Sequence, residues 1–216
     1  TNPVDRTIID ILPDRKQNQL ISYFKQWDKD SRNKVEFFVR DMWNPYSDIA
    51  KVYFKQAIQL TDKYHFIRQI IWAFERVRKK VQKKYGKENR LLFKHSKKVL
   101  TMRKSKLNPE QHQKVEYLLY LSDDLRCAYY LKEQFYEILD CNDNIKAKKL
   151  FSEWILSAQN SGLSDYSQCA STLLNWAKSI LDTFDYPYTN GFTEGCNNKI
   201  KVLKRIPSGK ATEIEI

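Results

Sequence analysis

Residues 187–205 combine one carboxylate with side chains that suit the binding of metal-bound phosphate. Glu194 lies between Gly191 and Gly195, two of only five glycines in the chain. A hydroxyl and two side-chain amides stand beside it, from Thr193, Asn197 and Asn198. A basic amphipathic run follows directly, so an acid at the start of a cationic helix is predicted here. The alternative is an ordinary helix N-terminus with Glu194 in its first turn.

Two further acids follow predicted strands. Asp41 follows a strand predicted near residues 35–39, and Asp62 follows one at residues 57–61. Open α/β sheets place their sites at the carboxyl ends of strands. Two-metal phosphoryl transfer needs acids that converge from different elements on ions ~3.5–4 Å apart. Asp41 and Glu194 are therefore the candidate catalytic and metal-binding acids, with a turn-capping role as the alternative for Asp41.

Asp62 and His65 form a separate pair at the junction between a strand and a helix. His65 could bind a metal ion, but no second His or Cys lies near it in the sequence to complete a site. We therefore predict a structural motif, in which Asp62 caps the helix and His65 is hydrogen-bonded within the core.

The elements that must position these acids change character along the chain. The first 62 residues read as β-α-β-α-β, which predicts a sheet with helices on its faces. The strands are expected at residues 7–12, 35–39 and 57–61, the helices at 17–27 and 44–54, and a polar turn at 28–34. After residue 65 the apolar residues follow helical spacing, which predicts an all-α bundle. Its helices are expected at 66–81, from Asn108-Pro109, from Ser122, at 143–159 ending near Gly162, and at 165–184.

The positive charge of the chain is concentrated in one segment. Residues 76–106 hold fourteen Lys or Arg and a single acid, so they carry a net charge of +13 within a chain of net charge +12. Such a patch is typical of contact with a polyanion, and nucleic acid is favoured over a merely solvated helical face. The candidate DNA contacts are Arg78, Lys79, Lys80, Lys83 and Lys84, with Lys199, Lys201, Lys204 and Arg205 in the last helix.

Composition argues against several other classes of protein. No apolar run approaches the roughly 20 residues needed to cross a bilayer, so no membrane partner is expected. The four cysteines are far apart and form no CxxC pair. This argues against a disulfide scaffold or a zinc site and indicates a cytoplasmic location.

Four motifs together resemble the DDE transposases of bacterial insertion sequences, most closely the ISL-three family. They are Leu12-Pro-Asp-Arg15, Asp41-Met-Trp-Asn-Pro-Tyr46, Asp62-Lys-Tyr-His-Phe-Ile-Arg68 and the segment 188–201 around Glu194. The resemblance runs from about residue 9 to residue 205. It implies a partial RNase H-like core at residues 1–65, an all-α insertion domain at 66–186 and a return to the core at 187–205. Residues 206–216 resemble nothing in the family.

The resemblance also implies roles for individual residues. Asp41 resembles the second catalytic Asp, Glu194 the catalytic Glu, and Asp62 with His65 the family's Asp-x-x-His motif. The implied reaction activates water, and then a DNA 3′-hydroxyl, for attack on phosphodiesters at the ends of the insertion sequence. Mg²⁺ or Mn²⁺ is the implied cofactor. The implied partner is double-stranded DNA, both at the ends of the insertion sequence and at the target. A homo-oligomer is left open.

Two departures from the family pattern qualify this expectation. The family's first catalytic Asp lies on a strand upstream of residue 7, and Pro207 interrupts the last helix. We therefore expect a truncated DDE transposase that is inactive by itself. The first alternative is a non-catalytic DNA-binding or oligomerisation module acting through the basic helix. The second is an all-α interaction protein in which Glu194 is only a cap.

Overall fold

The computed structural model describes residue 5 and residues 7–203, in two compact units. The first unit joins Thr1–Asp62 to Pro187–Ile216, and the second is Lys63–Tyr186. Within the described range, no helix combines the length and the apolar character that crossing a membrane requires. Residues 204–216, including the predicted atypical tail, lie outside the described residues.

The described chain is mostly helical, with two short strands. In chain order the elements are α1 (Gln17–Lys25), α2 (Lys29–Asn33), β1 (Phe37–Arg40), α3 (Asn44–Tyr53), β2 (Ile58–Thr61), α4 (Lys63–Lys84), α5 (Lys87–His95), α6 (Lys97–Thr101), α7 (Pro109–Tyr120), α8 (Asp123–Asp140), α9 (Asn144–Gln159), α10 (Ser164–Asn175), α11 (Ala177–Leu181) and α12 (Gly191–Leu203). Single 3-10 turns occupy Lys104–Lys106 and Asp182–Phe184.

The sheet of the first unit is a parallel pair with α3 as its crossover. The register runs from Phe37 opposite Ile58 to Arg40 opposite Thr61. The two later predicted strands are therefore confirmed, in shorter form. The resulting arrangement, a small parallel sheet in a mostly helical chain, bears out the predicted mixture of α/β and all-α parts in this coarse form. An RNase H-like core remains a prediction.

The first predicted strand, at residues 7–12, is wrong. Thr7 forms only an isolated bridge, and residues 8–12 have no strand structure in the described chain. Ile9 and Ile11 are 60% and 57% exposed. A run of β-branched residues favours an extended chain, but a strand also needs a partner edge and a surface to pack against.

Local capping explains two further differences from prediction. The segment predicted as a turn at residues 28–34 contains α2, because the Asp28 carboxylate accepts the Ser31 N–H at 2.8 Å and so caps the helix. At α3 the N-cap is Trp43, not the predicted Asn44, which is already helical. Pro45 lies in the first turn of that helix, where its missing N–H is tolerated.

The core of the first unit holds the sheet in place. Its buried residues are Leu20, Ile49, Phe54 and Ala57. Phe54, which follows α3, lies edge-on to Phe24 of α1 at 4.9 Å between ring centroids, and 5.1 Å from Phe38 of β1. These aromatic contacts connect α1, β1 and the end of α3.

The second unit is the predicted helical bundle, in which α4 packs on α8 and α10 while α9 packs on α8 and α10. The helix starts predicted at Asn108 and Ser122 are confirmed: Asn108 forms a capping box with Gln111, and Ser122 accepts the Leu125 N–H. The single helix predicted at residues 165–184 is wrong. It is interrupted at Trp176 (φ −111°, ψ 8°), although the apolar spacing continues through the interruption.

Candidate functional site at the carboxyl edge of the sheet

Asp41 and Asp62 leave the same edge of the sheet. The pairing of β1 with β2 ends at Arg40 opposite Thr61, so each acid is the first residue after its strand. The Asp62 N–H donates to the Arg40 carbonyl at 2.8 Å and extends the pairing by one bond. Parallel strands thus bring two acids, 21 positions apart in the sequence, to one carboxyl edge.

Two hydrogen bonds connect this edge to the helix that carries Glu194. The Asn190 N–H donates to Asp62 Oδ2 at 2.6 Å, and the Glu194 N–H donates to the Asn190 carbonyl at 2.9 Å. Glu194 lies in the first turn of α12. The Tyr188 ring also packs on Phe37 of β1, with 4.5 Å between centroids. The returning segment is therefore attached to both strands just before Glu194.

The carboxylate of Asp41 contains a buried oxygen that needs a donor. The residue is half-buried, and its Oδ1 has no hydrogen-bond partner among the described residues. A buried acceptor left unsatisfied costs about 1–3 kcal/mol, and more when it is charged. Such atoms in native proteins call for an explanation, and a bound ion is one of the few available.

The Asp41 charge acts on two neighbours that the sequence analysis did not single out. Burial lowers the pKa of Arg40 to about 10, while Asp41 and Asp48 oppose this shift, so the guanidinium is a cation at neutral pH. Its Nη2 donates to Gln59 Oε1 at 2.9 Å. Burial and then the Asp41 charge raise the pKa of Tyr46, which stays a neutral phenol. In the sequence, Arg40 could have been noticed as the one charged residue of β1, directly after three apolar residues.

A divalent ion would find few protein ligands at this edge. In the part of the chain that the structure describes, no three His, Cys, Asp or Glu residues cluster as a metal site. Mg²⁺ is commonly bound through one or two carboxylates, with phosphate and water completing its shell. The open Oδ1 of Asp41 fits that mode, and Glu194 is the second acid at the helix attached to the same edge.

Asp62 and His65 belong to different units and make different contacts. Asp62 is 5% exposed, and besides preceding α4 it accepts the Asn190 N–H. His65 is half-buried on α4, with its Nδ1 3.3 Å from Arg68 Nη2. The structural role predicted for the pair remains a prediction.

Replacing Asp62 with alanine is expected to lower the free energy of unfolding by about 2 kcal/mol, since it removes a buried, charged acceptor of a backbone N–H. Hydrogen exchange at the Asn190 amide should accelerate at the same time. Asp62→Asn retains an acceptor oxygen and should have the smaller effect. Unchanged exchange at Asn190 in the alanine variant would contradict this role.

The structure separates the predicted DNA contacts into distinct groups. Arg78 is 4% exposed, and its guanidinium donates to both oxygens of Glu75 and to the Phe93 carbonyl. It is therefore not carried into the proposed DNA contacts. Lys80 pairs with Asp165 at 2.6 Å and Lys84 with Asp124 at 2.8 Å. Lys79, Lys83, Lys199 and Lys201 are exposed, while Lys204 and Arg205 lie outside the described residues.

Comparisons with known proteins agree on one family. A family model described as a transposase, of the ISL3 (ISL-three) DDE type, matches residues 1–211. The transposase for insertion sequence element IS1001 of Bordetella parapertussis is 24% identical over 208 residues. That match covers 94% of this chain and 51% of the relative, so the chain spans about half the relative's length. No solved structure matches the chain. The chain belongs to the ISL3 family of transposases.

Proposed function

We propose that this chain supplies part of the catalytic region of a transposase that cuts and joins DNA strands with two divalent metal ions. Asp41 and Glu194 are the proposed metal ligands, and the first unit is the proposed part of an RNase H-like core. One observation carries the assignment: a buried carboxylate oxygen of Asp41 lacks a donor among the described residues at the edge where Glu194's helix is attached.

Each residue at the edge has a distinct part in this proposal. Bound Mg²⁺ or Mn²⁺ would supply Lewis acidity and lower the pKa of a coordinated water or hydroxyl. Asp41 and Glu194 would bind the ions through their carboxylates. The Asp41 charge favours the cationic form of the neighbouring Arg40, against the effect of burial on its pKa. Asp62 positions Asn190, and through it the first turn of α12.

The proposed substrate is double-stranded DNA, in the form of insertion-sequence ends and a target. The name of the Bordetella relative ties that protein to an insertion sequence, and family membership extends the proposal to this chain. The lack of activity expected of the 216-residue chain alone remains a prediction, which a strand-transfer assay on that chain tests.

Metal binding tests the proposed site without requiring activity. Titration of the chain with Mn²⁺, followed by electron paramagnetic resonance, should show a site whose affinity falls at least about tenfold in Asp41→Asn, as expected when a metal ligand is lost. Asp48→Asn is the matched control, because Asp48 is exposed on the adjacent helix α3 and the change removes the same charge. Equal effects of the two variants, or none from Asp41→Asn, would refute the site.

A non-catalytic DNA-binding module is the second candidate function. Exposed lysines on α4 favour it, since they offer contacts for phosphates without any metal. This candidate predicts DNA binding with no Asp41-dependent Mn²⁺ site, so the same titration separates the two.

A further inference from the structure

A basic groove lies entirely within the second unit, between α4, α5 and the start of α6. It has a volume of about 510 Å³. Six of its seven lining residues are cations: Arg78, Lys79, Lys83, Arg90, Lys94 and Lys97. The seventh, Gln82, is neutral. A concave surface lined in this way concentrates positive potential and attracts a polyanion.

Arg78 determines how the two walls of the groove meet. Its Nη1 donates to the Phe93 carbonyl of α5 at 2.9 Å and to Gln82 Oε1 at 3.0 Å. Its Nε and Nη2 donate to the two oxygens of buried Glu75 at 2.7 and 3.0 Å. The charge of Arg78 is thus compensated by Glu75, and the residue connects α4 to the last turn of α5. We regard Arg78 as a positioning residue of the groove.

The lysines of α4 divide into two pairs with different surroundings. Lys80 and Lys84 pair with acids of α10 and α8. Lys79 and Lys83 line the groove, and neither forms an ion pair with any described residue. Four residues apart on a helix, they lie on one face with about 5–6 Å between Cβ atoms. Only the second pair therefore offers uncompensated charge.

The opposite wall repeats this arrangement. Arg90 and Lys94 of α5 are also four residues apart and exposed, and within the described chain no carboxylate pairs with either. Lys97 differs, since it approaches Glu75 at 3.7 Å. Two rows of two uncompensated cations thus face one groove, which is the arrangement expected around a chain of phosphates.

We propose that the groove between α4 and α5 binds the sugar-phosphate backbone of duplex DNA through Lys79, Lys83, Arg90 and Lys94. The proposal rests on the proposed function for the class of substrate, but not on the metal site. No lining residue is aromatic, so the groove offers phosphate contacts without stacking on bases, and binding is expected to be independent of sequence. Lys80 and Lys84 do not belong to the proposed contact surface.

Two double variants on one helix test the assignment. Binding of the chain to a fluorescent duplex of about 30 base pairs is followed by anisotropy in EDTA, over roughly 50–200 mM KCl. Lys79→Ala/Lys83→Ala should reduce the slope of log affinity against log salt by about 2, because two phosphate contacts are lost. Lys80→Ala/Lys84→Ala removes the same charge from the same helix and should leave the slope unchanged.

The opposite wall supplies an independent check. Arg90→Ala/Lys94→Ala should reduce the slope as much as Lys79→Ala/Lys83→Ala does, while circular dichroism melting shows that each variant is folded. Equal losses from the two α4 pairs would indicate diffuse attraction and overturn the groove. Tighter binding of duplex RNA than of DNA, with the same variants affected, would overturn DNA as the ligand.

The DNA-binding test of the groove and the Mn²⁺ titration of the metal site can succeed or fail independently. A chain that binds duplex DNA through the groove but shows no Asp41-dependent Mn²⁺ binding refutes the two-metal proposal alone. A chain that binds Mn²⁺ at Asp41 but shows no duplex binding at about 50 mM KCl refutes the groove alone, because electrostatic binding is strongest at low salt.

Discussion

Replacement of Glu194 by glutamine in the whole transposase is expected to lower the rate of Mg²⁺-dependent strand transfer by about a hundred- to a thousandfold. Charge stabilisation by a catalytic metal ion contributes several kcal/mol to the transition state, and each 1.36 kcal/mol is a factor of ten in rate. The amide has nearly the same shape as the carboxylate, so the first turn of α12 should be preserved. What it lacks is the negative charge through which Glu194 is proposed to bind the ion.

Glu36 provides the matched control for this measurement. It is exposed and directly precedes β1, at the amino end of the strand whose carboxyl end leads to Asp41. Glu36→Gln removes the same charge from the same unit and should leave strand transfer on element-end DNA nearly unchanged. Near-normal activity of Glu194→Gln, in a protein that melts at the parent temperature, would exclude Glu194 as a metal ligand.

Replacement of Arg78 by alanine is expected to lower the free energy of unfolding by about 3–5 kcal/mol, measured by urea denaturation. The reason is the partner left behind: the Glu75 side chain is only 10% exposed and would lose its paired bonds to the guanidinium. The Phe93 carbonyl would lose its side-chain donor as well. Glu75 would keep only the exposed Lys97, at 3.7 Å and beyond hydrogen-bond distance. A buried carboxylate that loses its hydrogen-bonded cation is among the costliest defects that one substitution can create.

Two further variants show whether the unpaired charge is the cause. Arg78→Met/Glu75→Leu removes both charges together and should recover much of the loss, because no uncompensated carboxylate remains. Arg76→Ala removes a half-exposed cation. Its partner Asp165 still pairs with Lys80, so this change should lower the free energy of unfolding by about 1 kcal/mol or less. If Arg78→Ala destabilised the chain no more than Arg76→Ala, the buried pair would have no special role.

Features that depend on neighbouring residues were predictable from the sequence. The helix starts at Asn108 and Ser122 were predicted because a cap acts on an N–H three residues away. The concentration of cations in residues 76–106 is a property of composition, as is the separation of an early strand-containing part from a helical block. The motifs around Asp41 and Glu194 carried the family assignment, which the family model confirms.

Features that depend on distant partners were decided by the tertiary structure. Residues 7–12 have the composition of a strand, yet Thr7 forms only an isolated bridge and residues 8–12 have no strand structure. Lys79 and Lys80 are adjacent and alike in sequence, but among the residues that the structure describes only Lys80 meets an acid, Asp165, 85 positions later. Local pattern contains no information on such pairings, because they form only when separate helices pack.

The acidic edge of the sheet shows both contributions. Residue type made Asp41 and Glu194 candidate metal ligands, together with a predicted strand end before Asp41 and a predicted helix start at Glu194. Only the fold decided that Asp62 is a buried acceptor that attaches Asn190, 128 positions later, to the edge. The buried state of Asp41 Oδ1 likewise depends on packing around β1 and α3. The sequence identifies the side chains that could take part in chemistry. Bringing distant segments to one edge of the sheet requires hydrogen bonds such as that from Asn190 to Asp62, which form only in the folded chain.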